Sequence, residues 1–306
     1  MILVLVNKIA TLALIMFMGW LLGKLRILND EASNAISKLL LYLVIPCVTI
    51  NSFQVDYTPD VRNGLLLAFF AAAATCIFLL TAGHILKRLL HLNPVEQLSV
   101  TYPNVGNLVI PLVAAILGAD WVIYTSAFIV VQTILFWSHG KVVLCGDRKF
   151  EFKKVFGSIN MICVFVGMGL FFTGIRLPAL LQDVTDSVGN MIGPLSMLVS
   201  GMLISGLKLR QVISYKRVWL IVFLRLIVLS LCAVLLIKYS GITRLIPNGK
   251  DVLLVTVLGA AAPSATSIIN LAQVHNKDAQ YACAINVITT VLCILTIPVM
   301  VALYQL

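Results

Sequence analysis

The amino-acid sequence predicts an all-α integral membrane protein: ten transmembrane helices in two inverted five-helix repeats, with helices 4 and 9 broken. Three observations lead there. Of 306 residues, 60% are hydrophobic and only 11% are charged, whereas a soluble domain carries roughly 25% charged residues. Apolar runs of about 20 residues, the length that crosses a bilayer, recur along the whole chain. Two of those runs carry prolines and polar side chains that a plain span does not tolerate, because lipid offers the backbone no hydrogen-bond partners.

The ten runs fall at 2–23, 36–54, 64–86, 98–117, 121–144, 158–175, 188–206, 217–239, 252–272 and 279–303. The first is read as a span rather than a signal peptide, because no basic residue precedes the apolar stretch and no small-residue cleavage site follows it. The runs group into a first repeat at 1–145, a short cytoplasmic linker at 146–157, and a second repeat at 158–306. Odd-numbered loops hold fifteen basic residues, among them Lys24, Arg26, Lys38, Lys87, Arg88 and the cluster Arg148, Lys149, Lys153 and Lys154. Even-numbered loops and the ends hold six: Lys8, Arg62, Arg176, Lys238, Arg244 and Lys250. The positive-inside bias therefore puts the odd loops in the cytoplasm and both termini on the non-cytoplasmic side of the cell (inner) membrane. It also explains the net charge of +10 without nucleic acid.

Five spans per half force the halves into opposite orientations, so a repeat must be inverted. Landmarks recur in order. Lys24-Leu25-Arg26-Ile27-Leu28 closes span 1 and Gly174-Ile175-Arg176-Leu177-Pro178 closes span 6. Pro46 and Pro194 lie in spans 2 and 7, and Pro111 and Pro263 in spans 4 and 9.

Span 4 contains Thr101-Tyr102-Pro103-Asn104-Val105-Gly106-Asn107-Leu108-Val109-Ile110-Pro111. Pro111 lacks an N–H and crowds the carbonyl four residues back, Gly106 loosens the chain, and Asn104 and Asn107 bring amides to membrane depth. Span 9 breaks at Ala262-Pro263-Ser264-Ala265-Thr266-Ser267. Interrupted segments at corresponding places in two halves point to a transporter's binding site. A half-helix that starts at such a break directs N–H groups and a positive dipole end into the cavity, which suits an anion. Asn104 and Asn107 are the expected donors from the first break, and Ser264, Thr266, Ser267 and Asn270 from the second. The same groups also serve as helix–helix glue in many membrane proteins. Arg225, about 12 Å into span 8 at 1.5 Å per residue, either snorkels or pairs structurally, or faces the interior and attracts an anion.

All twelve acidic residues fall in loops or at span ends. A cation carrier usually keeps a carboxylate at membrane depth, so a cation substrate is disfavoured. Asn51, Gln132, Asn190 and Asn286 are further intramembrane polar groups, read mostly as packing contacts. No nucleophile–base pair, Cys/His metal spacing or cofactor motif is present, so neither an enzyme nor a metal or cofactor site is expected. The seven cysteines read as small apolar packing residues.

Pro103-Asn104 followed by Ile110-Pro111-Leu112 resembles the fourth-helix crossover of the auxin efflux carrier family, which includes plant PIN auxin exporters and bacterial permeases for malonate, malate and other carboxylates. Pro263, the run to Ala272, Asn276 and Pro298 are similar to that family's ninth- and tenth-helix pattern. Val109 replaces the family's usual glycine. The resemblance implies a scaffold of helices 1, 2, 6 and 7 that forms a homodimer, and a transport domain of the other six. It also implies elevator-type alternating access and a substrate-contacting role for Asn104. The expected function is a permease for small organic anions; the alternative is a sodium- or proton-coupled organic anion symporter of the bile-acid-transporter type.

Overall fold

A computed structural model describes residues 2–146, 156–157, 159–205, 215–275 and 277–306. Most of the central linker, Lys208, Arg210 and Asn276 lie outside the described residues. The chain is helical throughout the described residues, and its one β-type pairing is an isolated bridge.

Helix α1 (Ile2–Lys24) is followed by α2 (Asp30–Leu39), which runs through a π-helical turn, Leu40–Val44, into α3 (Ile45–Ser52). Pro46, at the start of α3, has no N–H to give. The wide turn ahead of it absorbs the mismatch, the usual place for a π-bulge. Helix α4 (Pro59–Leu90) begins at a Thr58 cap, with Pro59 in the first turn, where the missing N–H costs nothing. Helix α5 (Pro94–Thr101) ends at the first break; a π-helical turn at Val105–Val109 and α6 (Ile110–Ile116) follow. Helix α7 (Val122–Leu135) passes through a π-helical turn into α8 (Lys141–Cys145).

In the second half, α9 (Ile159–Thr173), α10 (Ala179–Gly189) and α11 (Ile192–Ser205) precede α12 (Lys216–Phe223). A π-helical turn, Leu224–Leu229, joins α12 to α13 (Ser230–Tyr239). Helix α14 (Gly249–Ala261) ends at the second break, α15 (Ser267–Val274) follows, and α16 (Ala279–Gln305) closes the described chain.

Among the described residues, five continuous helical stretches are long and apolar enough to cross a membrane: Glu31–Ser52, Pro59–Leu90, Ala119–Leu144, Lys216–Tyr239 and Ala279–Gln305. They match the runs expected at 36–54, 64–86, 121–144, 217–239 and 279–303. The first starts earlier than its apolar run, because the turns before residue 36 are amphipathic. Likewise α10 begins well before the run expected at 188–206.

The helices pack in two groups. In one, α1 lies along α11, and α3 packs on α9 and α10. Gly19 and Gly201 permit the close approach of α1 and α11. A Cβ on Gly19 would stand 2.9 Å from the Leu198 Cα, and one on Gly201 2.6 Å from the Trp20 nitrogen. Small residues at such a seam are the usual means of helix association in lipid, where the hydrophobic effect gives no preference. In the other group, α4 packs on α5, α7 and α14, and α16 on α14 and α15. The two breaks belong to this second group, and α6 and α16 carry it against α1 and α11.

Glu96 ties that second group together at one end. It closes a capping box with Asn93 at the start of α5, at 2.9 Å in each direction. Although only 1% exposed, it is matched by donors. Arg217 of α12 donates to both carboxylate oxygens at 2.9 and 3.1 Å, and the Tyr281 hydroxyl of α16 donates at 2.8 Å.

Candidate functional site

The two breaks meet. Proline disfavours helical conformation in the residue before it, and both preceding residues obey. Tyr102 sits at φ −103°, ψ 115° and Ala262 at φ −64°, ψ 153°. The extended pieces then pair as a short antiparallel bridge between Pro103 and Ser264. The Asn104 N–H donates to the Pro263 carbonyl at 2.8 Å, and the Ala265 N–H donates to the Tyr102 carbonyl at 3.0 Å.

Breaking a helix frees carbonyls as well, and buried carbonyls need partners. Side chains from neighbouring helices supply them. Gln132 of α7 donates to the Pro103 carbonyl at 2.6 Å, and Asn286 of α16 to that of Ser264 at 2.5 Å. The Ser264 N–H finds the Thr289 hydroxyl at 3.2 Å.

Arg225, wholly buried, takes the last turns of both half-helices. It donates to the carbonyls of Val100 (3.2 Å), Ala260 (2.8 Å) and Ala262 (3.0 and 2.9 Å). Its own carbonyl accepts from the Ser230 hydroxyl at 2.9 Å. This is the structural pairing of the alternatives open for Arg225. The guanidinium is committed to backbone, and Arg225 is not in the wall of the cavity described next.

On one side of the crossed breaks lies a cavity of about 360 Å³. The breaks contribute Asn104, Asn107 and Thr266, and α16 contributes Asn286 and Thr290. The opposite wall comes from the first helix group: Asn34, Ser37 and Lys38 of α2, and Ser196 and Ser200 of α11. Asn107 donates to the Thr266 hydroxyl across the breaks at 2.7 Å. The hydroxyls of Ser37, Ser200 and Thr290 are turned back to their own helices. The carboxamide of Asn104, a residue only 9% exposed, enters no hydrogen bond with any described residue. Among the described residues, Lys38 is the one ionisable side chain in the wall, and no acidic side chain takes part.

The structure therefore brings Asn104, Asn107 and Thr266 of the expected residues into one cavity. Gly106 and Ser267 are not in its wall, Pro263 and Ser264 are buried in the bridge, and Pro111 faces a second cavity on the other side. The Asn270 side chain lies outside the described residues. Sequence reasoning missed the wall opposite the breaks. The signal was present as polar residues at helical spacing: Asn34, Ser37 and Lys38 on α2, and Ser196 and Ser200 on α11. Residues three or four apart share a helix face.

A multi-pass helical chain whose broken helices meet beside a polar cavity defines a membrane transport protein. The family model for membrane transport proteins matches residues 4–154 and 149–301. The chain belongs to that family, the auxin efflux carriers, which are transporters and not enzymes. Comparison with curated proteins returned no match.

Proposed function

We propose that the protein is a secondary carrier for small organic anions, carboxylates in particular, working by alternating access. The observation that carries this reading is the Asn104 carboxamide. Among the described residues it stands without a protein partner, in a cavity whose wall holds one cation and no acid. An amide that faces the cavity otherwise donates to water there, and a carboxylate offers its N–H groups a charged and therefore stronger acceptor. Lys38 supplies the attraction, and the cavity's volume lies at the lower end of the range for small-ligand sites, about 300–1,000 Å³.

Ten spans in two inverted repeats, at 1–145 and 158–306, complete the proposal. In its support, the two breaks cross antiparallel, as a two-fold axis in the membrane plane requires. Helices α1, α2–α3, α9 and α10–α11 form the scaffold, which pairs as a homodimer. The second helix group moves past it as an elevator, carrying the crossed breaks. With odd loops cytoplasmic, Lys38 lies on the inner face. Sodium coupling at the breaks is disfavoured because the freed carbonyls already accept from Arg225, Gln132 and Asn286.

The test is counterflow of labelled malonate, malate and indole-3-acetate in proteoliposomes, with and without sodium or pH gradients. Exchange of a carboxylate without a gradient, lost in Asn104→Ala at unchanged thermal stability, is expected. Full exchange by a well-folded Asn104→Ala protein removes the proposed role, and strict dependence on a gradient moves the reading to the coupled symporter.

A further inference from the structure

The second cavity, about 280 Å³, lies beyond the first break, against Pro111 and Ala114. It exchanges the parts that build the first. The first cavity takes the early part of α2–α3, at Lys38, and the later part of α11, at Ser200. The second takes the later part of α3, at Asn51, and the α10–α11 junction, at Asp186 and Asn190. Between them is a small apolar pocket of about 40 Å³ whose wall includes Leu12 and Leu108. Leu108 also faces the first cavity and Leu12 the second. Two vestibules on opposite faces of the carrier, separated by a dry plug, have this arrangement.

Their charges are opposite. Among the described residues, Lys38 is the one ionisable group of the first wall, and Asp186 is the one ionisable group of the second. Asp186 is held in place by a hydrogen bond from the Asn51 amide. Arg176, the basic residue that precedes α10 in the chain, is engaged with Asp56 and the Gln54 carbonyl. We infer that Asp186 makes anion affinity unequal on the two faces, so that a carboxylate admitted at the Lys38 face is repelled, and therefore released, at the Asp186 face.

This rests on the anion-carrier reading. The effect is on affinity alone. A passive carrier must keep equal Vmax/KM in both directions at zero voltage, so Asp186 biases half-saturation and not the final equilibrium. One unit charge beside a hydrated cavity changes an anion's affinity by roughly three- to tenfold at low ionic strength, and less as salt screens it.

The experiment measures half-saturation for a transported carboxylate from each face, in right-side-out and inside-out vesicles, at low and high salt. Asp186→Asn keeps an acceptor for Asn51 and removes the charge. It is expected to lower the half-saturation constant at the Asp186 face, relative to the Lys38 face, by about three- to tenfold at low salt and by less at high salt. Asn190→Asp, which adds an acidic group to the same wall, is expected to move the ratio the other way. Carboxylate transport with a ratio that neither variant moves, or that moves equally at both salts, overturns this inference alone. Absence of any anion transport by the wild type overturns the carrier reading and this inference with it.

Discussion

Replacing Arg225 by Met keeps an apolar stem of similar volume and removes the guanidinium from the ends of both half-helices. Two buried carbonyls, those of Val100 and Ala262, then lose their donor, and that of Ala260 keeps only the Ser230 hydroxyl at 3.4 Å. An orphaned buried acceptor costs about 1–3 kcal/mol and a weakly held one less, so the gross penalty is about 2–8 kcal/mol. Against it stands the desolvation of a wholly buried guanidinium, several kcal/mol, which the wild type bears and the variant does not. The net expectation is a loss of about 2–5 kcal/mol. At about 2–4 °C per kcal/mol, the unfolding temperature of the detergent-purified protein falls by roughly 5–15 °C. Arg225→Lys should also fall, since one ammonium cannot span carbonyls on two chain ends as a planar fork does. Tryptophan fluorescence on heating reads both variants. A Met variant that melts with the wild type refutes the capping argument. A Met variant of normal stability whose half-saturation for anions rises would mean that the guanidinium attracts substrate.

Two further perturbations probe the breaks and the helix seam. The Asn107–Thr266 hydrogen bond crosses the breaks within reach of solvent, so a double-mutant cycle with Asn107→Ala and Thr266→Val should give a coupling of about 0.5–1.5 kcal/mol in thermal stability; strictly additive effects would show that the bond contributes nothing. Gly201→Val drives a side chain into the α1 backbone at Met16 and Trp20, whereas a Cβ at Gly169 meets nothing within 4 Å; the first should cost about 1–3 kcal/mol and Gly169→Val clearly less, and equal losses would remove the packing explanation for the seam.

The breaks were legible because proline acts locally. Pro103 and Pro263 force their preceding residues out of the helix whatever surrounds them. Where α2 and α10 begin was not legible from hydropathy. Helix α2 carries Asn34 and Lys38, and α10 carries Asp183 and Asp186, and such polar side chains dilute the apolar run. The polar stripes on α2, α11 and α16 were readable at helical spacing, but which stripe meets which is a matter of tertiary packing. Arg225 shows the limit most plainly. A lone arginine in an apolar run fits snorkelling, substrate attraction and capping equally well. Its partners lie 35 to 125 residues away in the chain, and they are main-chain atoms, which leave no mark on the sequence.

The bridge between Pro103 and Ser264 has a consequence for how the chain is made. The two pieces are about 160 residues apart, so at a synthesis rate of roughly 5–20 residues per second the first piece waits about 10–30 s for its partner. Throughout that interval the Asn104 N–H and the Tyr102 carbonyl lack the main-chain atoms they will finally meet. A nascent first half in the membrane therefore carries an unfinished hydrogen-bonding edge that water, lipid headgroups or an insertion factor must shelter. Neither half produced alone can complete it, whereas the two halves made as separate polypeptides in one cell have what they need to find each other.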